Sequence, residues 1–214
     1  APDNIVAESR YGDVQATQAA FKAARHVVKL DITNQRLVAL SIEPRSVQAW
    51  TEQGRLMVRM SSQMPSGIRT QICELMGLKP EQVRVLVGDV GGGFGMKTGA
   101  YPEDIVVAYC AHRLQRNVKW VADRNEEFLS SSHGRDIQCH AELALDEHGK
   151  MLALRIQTQA NVGAYPSMAG ISIQIMIGPW VQTSVYDIAH IDFHYTAVMT
   201  HTAPTGPYRG AGRP

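Results

Sequence analysis

Residues 83–97 read VRVLVGDVGGGFGMK, a stretch in which a strand pattern runs directly into a glycine loop. Val83, Val85 and Val87 alternate with other residues, and β-branched side chains at a period of two are typical of a strand. Four of the five residues at 91–95 are glycine, and the pattern over 101–114 is helical. The stretch therefore predicts a glycine loop that joins a strand to a helix.

The residues before this stretch predict two further helices and two strands. Alanines recur at helical spacing over 14–25, and residues 28–32 then alternate apolar and charged side chains, which indicates a half-buried strand. Residues 55–60 fit a second strand. Residues 66–76 fit a helix with one apolar face, and Gly77 stands where the C-terminal cap of a helix belongs.

The residues after this stretch are mostly strand-like. Residues 118–122 fit a short strand, and 137–145 and 151–159 alternate on both sides of a turn, which indicates a hairpin. A last alternating strand at 191–197 leads to a second glycine loop at 205–212. We find no internal repeat and no linker.

Composition limits the class of protein. With 214 residues, 44% apolar and 19% charged, the chain is expected to form one large or two small globular units. A formal charge of +1 supplies no basic field, so we expect no nucleic-acid partner. Apolar runs stay far below the roughly 18 residues of a membrane span. Three dispersed cysteines without a CxxC favour a reduced, cytoplasmic setting, although a periplasmic one remains open, and they predict no zinc or iron–sulfur site.

The first glycine loop fits neither common phosphate-binding template. Met96 separates Gly95 from Lys97, which a Walker loop does not allow, and a dinucleotide fingerprint would need glycine at Met96 or Thr98. What remains is a backbone that can approach a ligand closely and direct N–H groups at an anion, with Phe94 covering an apolar surface. A tight structural turn is the alternative.

Three other polar features each allow a functional and a structural interpretation. Gln63 has an amide that can both donate and accept, although a solvated loop is the simpler interpretation. Arg209 lies in a stiff loop where a guanidinium could stabilise developing negative charge, or could bond loop carbonyls. His190, Asp192 and His194 share one face of a strand, which we interpret as solvated, so no metal site is predicted from this chain's side chains.

Taken together, five segments resemble the molybdenum-binding large subunit of the xanthine dehydrogenase, aldehyde oxidase and carbon monoxide dehydrogenase family. The resemblance runs from about residue 5 to residue 214 and depends on the joint occurrence of both glycine loops. The segments are Ser62–Gln63, Asp89–Lys97, Val118–Trp120, Ser132–Asp136 and Pro207–Pro214.

The resemblance implies an α+β fold of mixed sheets with flanking helices. Residues 1–214 would form the first molybdopterin-binding domain of a longer large subunit, and the chain's end in a glycine-rich turn agrees with a fragment. By position, Arg209 matches a substrate-side arginine with a catalytic role. The residues that match the family's cofactor-binding positions are Gln63, Gly92, Gly93, Phe94 and Gly95.

The resemblance also implies hydroxylation of an aldehyde or an N-heterocycle with oxygen derived from water. The family's glutamate base comes from a later segment, so the isolated fragment is expected to be inactive. The implied cofactor is molybdenum-molybdopterin, for which we expect the cytosine dinucleotide form. Iron–sulfur clusters and FAD would lie on other domains or subunits, and a homo-oligomer is expected.

Two departures from the family pattern narrow the substrate. Thr98 stands where purine-oxidising members carry a glutamate, so xanthine is disfavoured. Gly210 stands where carbon monoxide dehydrogenases carry a copper-binding cysteine, so carbon monoxide is disfavoured as well. Two other classes stay open: a non-catalytic module that binds an anion or a protein partner, and a nucleotide-dependent transferase that uses the first glycine loop.

Overall fold

The computed structural model describes residues 2–213, so Ala1 and Pro214, the last residue of the second glycine motif, lie outside the described residues. The strands are β1 (Ile5–Gly12), β2 (His26–Asn34), β3 (Leu37–Val38), β4 (Ser46–Glu52), β5 (Arg55–Met60), β6 (Val83–Leu86), β7 (Val118–Val121), β8 (His133–Gly134), β9 (Ile137–Leu145), β10 (Met151–Gly163) and β11 (His190–Met199). The helices are α1 (Val14–Ala23), α2 (Pro65–Met76), α3 (Pro102–Leu114), α4 (Arg124–Ser130), α5 (Met168–Ser172) and α6 (Gly178–Val181). Short 3₁₀ segments span Pro2–Asn4, Pro80–Gln82 and Met96–Thr98, and a π-helical turn spans Ile173–Ile177.

The chain forms two compact units, and residues 38–132 make up one of them. Its sheet has the order β6-β5-β4-β7, with β5 and β6 parallel and the other pairs antiparallel. The parallel pair requires a crossover, which α2 supplies. Helices α2 and α3 pack on the sheet, and the core between them contains Val58, Ile72 and Ala108. The first glycine loop leaves this sheet at the end of β6.

Residues 1–37 and 133–214 make up the other unit. Its sheet has the order β1-β11-β10-β9-β2, and only β10 and β11 run parallel. The crossover between them contains α5, the π turn and α6. The apolar row of β11 is buried, with Phe193 and Tyr195 in edge-to-face contact at 6.4 Å between ring centres. Both units mix parallel and antiparallel strands with flanking helices, which confirms the predicted α+β class.

The π turn is held by the first strand. The hydroxyls of Ser9 and Tyr11 donate to the carbonyl of Ile175 at 2.6 and 3.0 Å. A π turn leaves carbonyls without the usual helical donor, and these two hydroxyls satisfy one of them. Strand β1 thereby fixes the segment that packs behind the second glycine loop.

Most of the predicted elements are present. Residues 28–32 form a strand as predicted, but the expectation that this strand is half-buried is wrong. Strand β2 is exposed on both faces, with Val28, Leu30 and Ile32 at 53%, 58% and 42% exposure. The reason is its place at the edge of the sheet, away from β10 and β11, on which the helices of this unit pack. Among the described residues, no helix is long and apolar enough to cross a membrane.

Candidate functional site

The first glycine loop adopts a conformation that glycine makes possible. Gly92, Phe94 and Gly95 have φ of 102°, 50° and 101°, all in the left-handed region. A non-glycine residue rarely adopts such a φ, so the backbone at Phe94 is strained while its flanking glycines are free to turn. The Phe94 side chain is 46% exposed.

Gln63 is hydrogen-bonded to this loop. The Gln63 side-chain oxygen accepts from the N–H of Gly95 at 2.9 Å. The Gln63 backbone N–H donates to the carbonyl of Lys97, also at 2.9 Å. The Gly95 N–H donor identifies which end of the amide is oxygen. The Gln63 side-chain NH₂ is therefore the other end; it has no acceptor among residues 2–213 and can donate two hydrogen bonds to a ligand.

Gly93 leaves no room for a side chain beside Gln63. A Cβ at position 93 would lie 2.6 Å from Cδ of Gln63 and closer still to its Oε1. Within the part of the chain that the structure describes, no acceptor receives the N–H groups of Gly92, Gly93 or Phe94. Gly93 is buried, and a buried N–H without a partner is rare unless a ligand or water satisfies it. The N–H groups of Gly92, Gly93 and Phe94 are thus available as donors, and Gly93 lies against the Gln63 amide. We call these three N–H groups together with the Gln63 amide the cradle.

Buried charges hold the base of the loop. The Lys97 ammonium is almost fully buried and donates to the Glu43 carbonyl at 2.8 Å, to its carboxylate at 3.0 Å and to the Ser61 hydroxyl at 2.9 Å. The same carboxylate accepts from the N–H of Gly91 at 2.7 Å. Burial would raise the pKa of Glu43, but hydrogen bonds from Ser61, Gly91 and Lys97 outweigh burial and lower it. Glu43 therefore stays ionised as a fixed anchor.

Sequence reasoning missed this anchor. Lys97 is recognisable in the sequence only as part of the first glycine motif. Lys97 and Glu43 are separated by 54 positions, and nothing in the sequence around Glu43 marks it. Thr98, which we assigned to the substrate side, uses its hydroxyl to donate to the Gly95 carbonyl at 2.8 Å, so it closes the turn that follows the loop.

The second glycine loop belongs to the other unit. Arg209 is exposed there, and among residues 2–213 its guanidinium has no hydrogen-bond partner. The loop carbonyls of Tyr208 and Arg209 are bound by the Arg135 guanidinium and not by that of Arg209, which was the alternative role for Arg209. Gly210 has φ of 73°, and a Cβ there would meet nothing within 4 Å, so only the backbone conformation disfavours a larger residue.

The structure thus brings Gln63 together with Gly92, Gly93, Phe94, Gly95 and Thr98, and it places Arg209 and Gly210 on their own loop. The strand with His190, Asp192 and His194 offers little to a metal, because Asp192 is paired with Arg155 at 3.1 Å. No three His, Cys, Asp or Glu side chains of the described residues are grouped so as to hold a metal ion.

Comparison with known proteins identifies the family. The chain belongs to the family of molybdopterin cofactor-binding domains, whose model matches residues 1–214. This confirms the resemblance to the molybdenum-binding large subunits, which was based on the joint occurrence of the two glycine loops.

Individual relatives support the same family assignment. The chain is 31% identical to the nicotine 6-hydroxylase large subunit of Paenarthrobacter nicotinovorans, over 99% of this chain and 26% of that protein. It is 32% identical to the carbon monoxide dehydrogenase large chain of Hydrogenophaga pseudoflava, over 91% of this chain and 24% of that protein. The structure of quinoline 2-oxidoreductase from Pseudomonas putida 86 matches with a TM-score of 0.90 and 30% identity, over 98% of this chain and 27% of that one. The chain thus spans about a quarter of the length of these relatives.

Proposed function

We propose that residues 1–214 form the first molybdopterin-binding domain of a molybdenum hydroxylase large subunit. The observation that carries the proposal is the cradle at Gly92–Phe94, where three N–H groups and the Gln63 amide offer donors and Gly93 lets Gln63 lie against the loop. A molybdopterin carries phosphate and oxygen atoms that only accept hydrogen bonds, so this donor set fits it. Gly92, Gly93, Phe94 and Gly95 would line the cofactor, and Gln63 would donate to it.

The bound cofactor would supply two-electron oxidation of a substrate carbon, with the added oxygen atom coming from water. The chain's own residues would position the reactants. Phe94 would exclude water from one side of the cofactor, and Arg209 would stabilise negative charge that develops on the substrate. No glutamate of this chain is assigned as the base.

Gln63→Glu tests the cofactor role with one atom changed. A carboxylate at position 63 still accepts from the Gly95 N–H, but it cannot donate and it adds a negative charge beside the cradle. We expect cofactor content, measured as molybdenum and pterin per mole of full-length large subunit with its partner subunits, to fall about tenfold or more. The matched control is Gln53→Glu, at an exposed glutamine between β4 and β5. Full molybdenum and pterin content in Gln63→Glu would contradict the proposal.

Arg209→Ala tests the substrate side. Because the Arg209 guanidinium has no hydrogen-bond partner among residues 2–213, its removal should leave the fold and the molybdenum content unchanged. We expect kcat to fall about 100-fold with KM little changed, since the charge it stabilises develops only in the transition state. Unchanged kcat on every aldehyde and N-heterocycle that the wild type oxidises would remove Arg209 from the site.

The proposed substrate is an aldehyde or a small N-heterocycle. Thr98 carries no charge to grip a purine, and Gly210 has no thiolate for copper, which argues against xanthine and carbon monoxide. The relatives include proteins named for nicotine and quinoline, which are both N-heterocycles. We further propose the cytosine dinucleotide form of the cofactor, partner subunits or domains that carry iron–sulfur clusters and FAD, a homo-oligomeric assembly and a cytoplasmic location.

A further inference from the structure

The His133–Asp136 segment has no role in the function proposed so far, yet it contacts the loop that carries Arg209. The His133 N–H donates to the Pro204 carbonyl at 2.9 Å, and the Gly206 N–H donates back to the His133 carbonyl at 2.8 Å. Gly134 packs directly on the base of the Tyr208 side chain, since a Cβ at position 134 would lie nearest to Cβ of Tyr208 and 2.8 Å from its Cγ. The segment therefore lies against the loop over several residues.

Arg135 makes the contacts nearest to Arg209. Its guanidinium donates to the Tyr208 carbonyl at 3.2 Å and to the Arg209 carbonyl at 3.0 Å, and it lies 5.1 Å from the centre of the Tyr208 ring. A planar guanidinium that binds two successive carbonyls fixes both the position and the tilt of the peptide between them, which a single donor cannot do. That peptide joins Tyr208 to Arg209.

The backbone beside Arg135 is fixed by hydrogen bonds to the next residue, Asp136. The Asp136 carboxylate accepts from Arg36 Nε at 2.9 Å and from Asn161 Nδ2 at 2.8 Å. Arg36 also donates to the Ala203 carbonyl at 2.7 Å, at the start of the same loop. The backbone on both sides of Arg135 is thus tied to the sheet and to the loop.

We propose that Arg135 is a positioning residue that sets where the Arg209 guanidinium lies. This inference rests on the proposed function, because it takes Arg209 as the residue that faces the substrate. The exposed Arg209 side chain has no partner of its own in the part of the unit that the structure describes. The point from which this side chain extends is fixed by its backbone, and Arg135 holds that backbone at the two carbonyls. Small displacements of such a group lower the rate strongly.

The first experiment needs no cofactor. Trypsin can cut after Arg209, and amide hydrogen exchange reports opening of residues 206–212. In the cofactor-free large subunit, Arg135→Ala should raise both the cleavage rate at Arg209 and the exchange rate of this segment about tenfold, because two loop hydrogen bonds are lost. Arg135→Lys should give an intermediate increase. Arg25→Ala, at an exposed arginine of the same unit, is the matched control. Unchanged cleavage and exchange in Arg135→Ala would overturn the proposal.

The second experiment asks whether Arg135 acts through Arg209. In the loaded enzyme with its partner subunits, Arg135→Ala should lower kcat about tenfold with KM and molybdenum content little changed. In the Arg209→Ala background the same substitution should change kcat less than about twofold, since coupled residues are not additive. An equal loss in both backgrounds would assign Arg135 a general structural role and overturn the proposal.

The two proposals fail in different ways. If Arg209→Ala lowers kcat and Arg135→Ala does not, the positioning role is wrong and the proposed function stands. If Arg209→Ala itself leaves kcat unchanged, the substrate role of Arg209 fails, and the positioning role fails with it even where the loop opens faster.

Discussion

At position 93, the volume that a side chain would occupy is taken by Gln63. The backbone φ at Gly93 is ordinary, so sterics alone exclude a larger residue. Gln63 cannot withdraw without breaking its hydrogen bond to Gly95. The absence of one methyl group at Gly93 is thus what allows the glutamine and the loop to meet.

Gly93→Ala should consequently lower both stability and cofactor content. The added methyl group must displace Gln63, and overpacking of this kind costs about 1–3 kcal/mol. Thermal unfolding of the large subunit would show a lower Tm, and elemental analysis would show molybdenum reduced at least severalfold. Gly99→Ala is the control, because a Cβ there meets nothing within 4 Å. Equal Tm and equal molybdenum in the two variants would show that the Gln63 contact is dispensable.

At the scale of elements, the start of α3 carries a buried acid. Asp104 accepts from the Tyr101 N–H at 2.9 Å, which caps the helix. Burial raises the pKa of Asp104 from 3.8 to about 6, although the Tyr101 hydrogen bond and the Arg45 charge oppose the rise. The folded state therefore binds a proton more tightly than the unfolded state, so stability falls as the pH rises from about 4 to about 6.

Asp104→Asn should remove this pH dependence. An asparagine keeps an acceptor for the Tyr101 N–H and has no charge to bury, so we expect the variant to be more stable at pH 7 by about 1–3 kcal/mol. Denaturant unfolding at several pH values would measure the difference. Asp187→Asn, at an exposed aspartate, provides the comparison. A destabilised Asp104→Asn protein at pH 7, or an unchanged slope between pH 4 and 6, would contradict this explanation.

Elements whose signals are local were predictable from the sequence. Strand β5 has the predicted bounds, α2 begins one residue early, and Gly77 caps that helix with φ of 66°. Helix α4 was missed although Asp123 and Glu126 form a capping box, a signal that was present in the sequence. Strand β4 was missed because its buried side chains are small and the alternation is weak.

Features that depend on strand order were not predictable. The exposure of β2 follows from its edge position, which alternation within 28–32 cannot reveal. The same limit applies to the candidate site. A family resemblance indicated Gln63 and the first glycine loop, whereas the contacts that hold the two glycine loops are visible only in the folded structure. Arg135 and Tyr208 are 73 positions apart, and Lys97 and Glu43 are 54 apart.

At the scale of the whole molecule, the chain spans about a quarter of the length of its relatives. On the proposed function, the complete large subunit with its partners should oxidise N-heterocycles or aldehydes and incorporate ¹⁸O from labelled water. The kcat/KM for xanthine should be about 100-fold or more below that for the best aldehyde or N-heterocycle, because Thr98 offers no carboxylate to a purine. Mass spectrometry of the product and a substrate panel would measure both. Efficient xanthine or carbon monoxide oxidation, or label arriving from O₂, would contradict the prediction.

The contact between Gly134 and Tyr208 limits how this sequence can change over time. A side chain at 134 has no space, because its Cβ would clash first with the Cβ of Tyr208 and only then with the ring. Loss of the aromatic ring alone therefore does not relieve the clash, since every residue except glycine at 208 keeps a Cβ. Descendants of this sequence should consequently retain glycine at 134 whatever side chain they carry at 208, unless the backbone of the second glycine loop has moved.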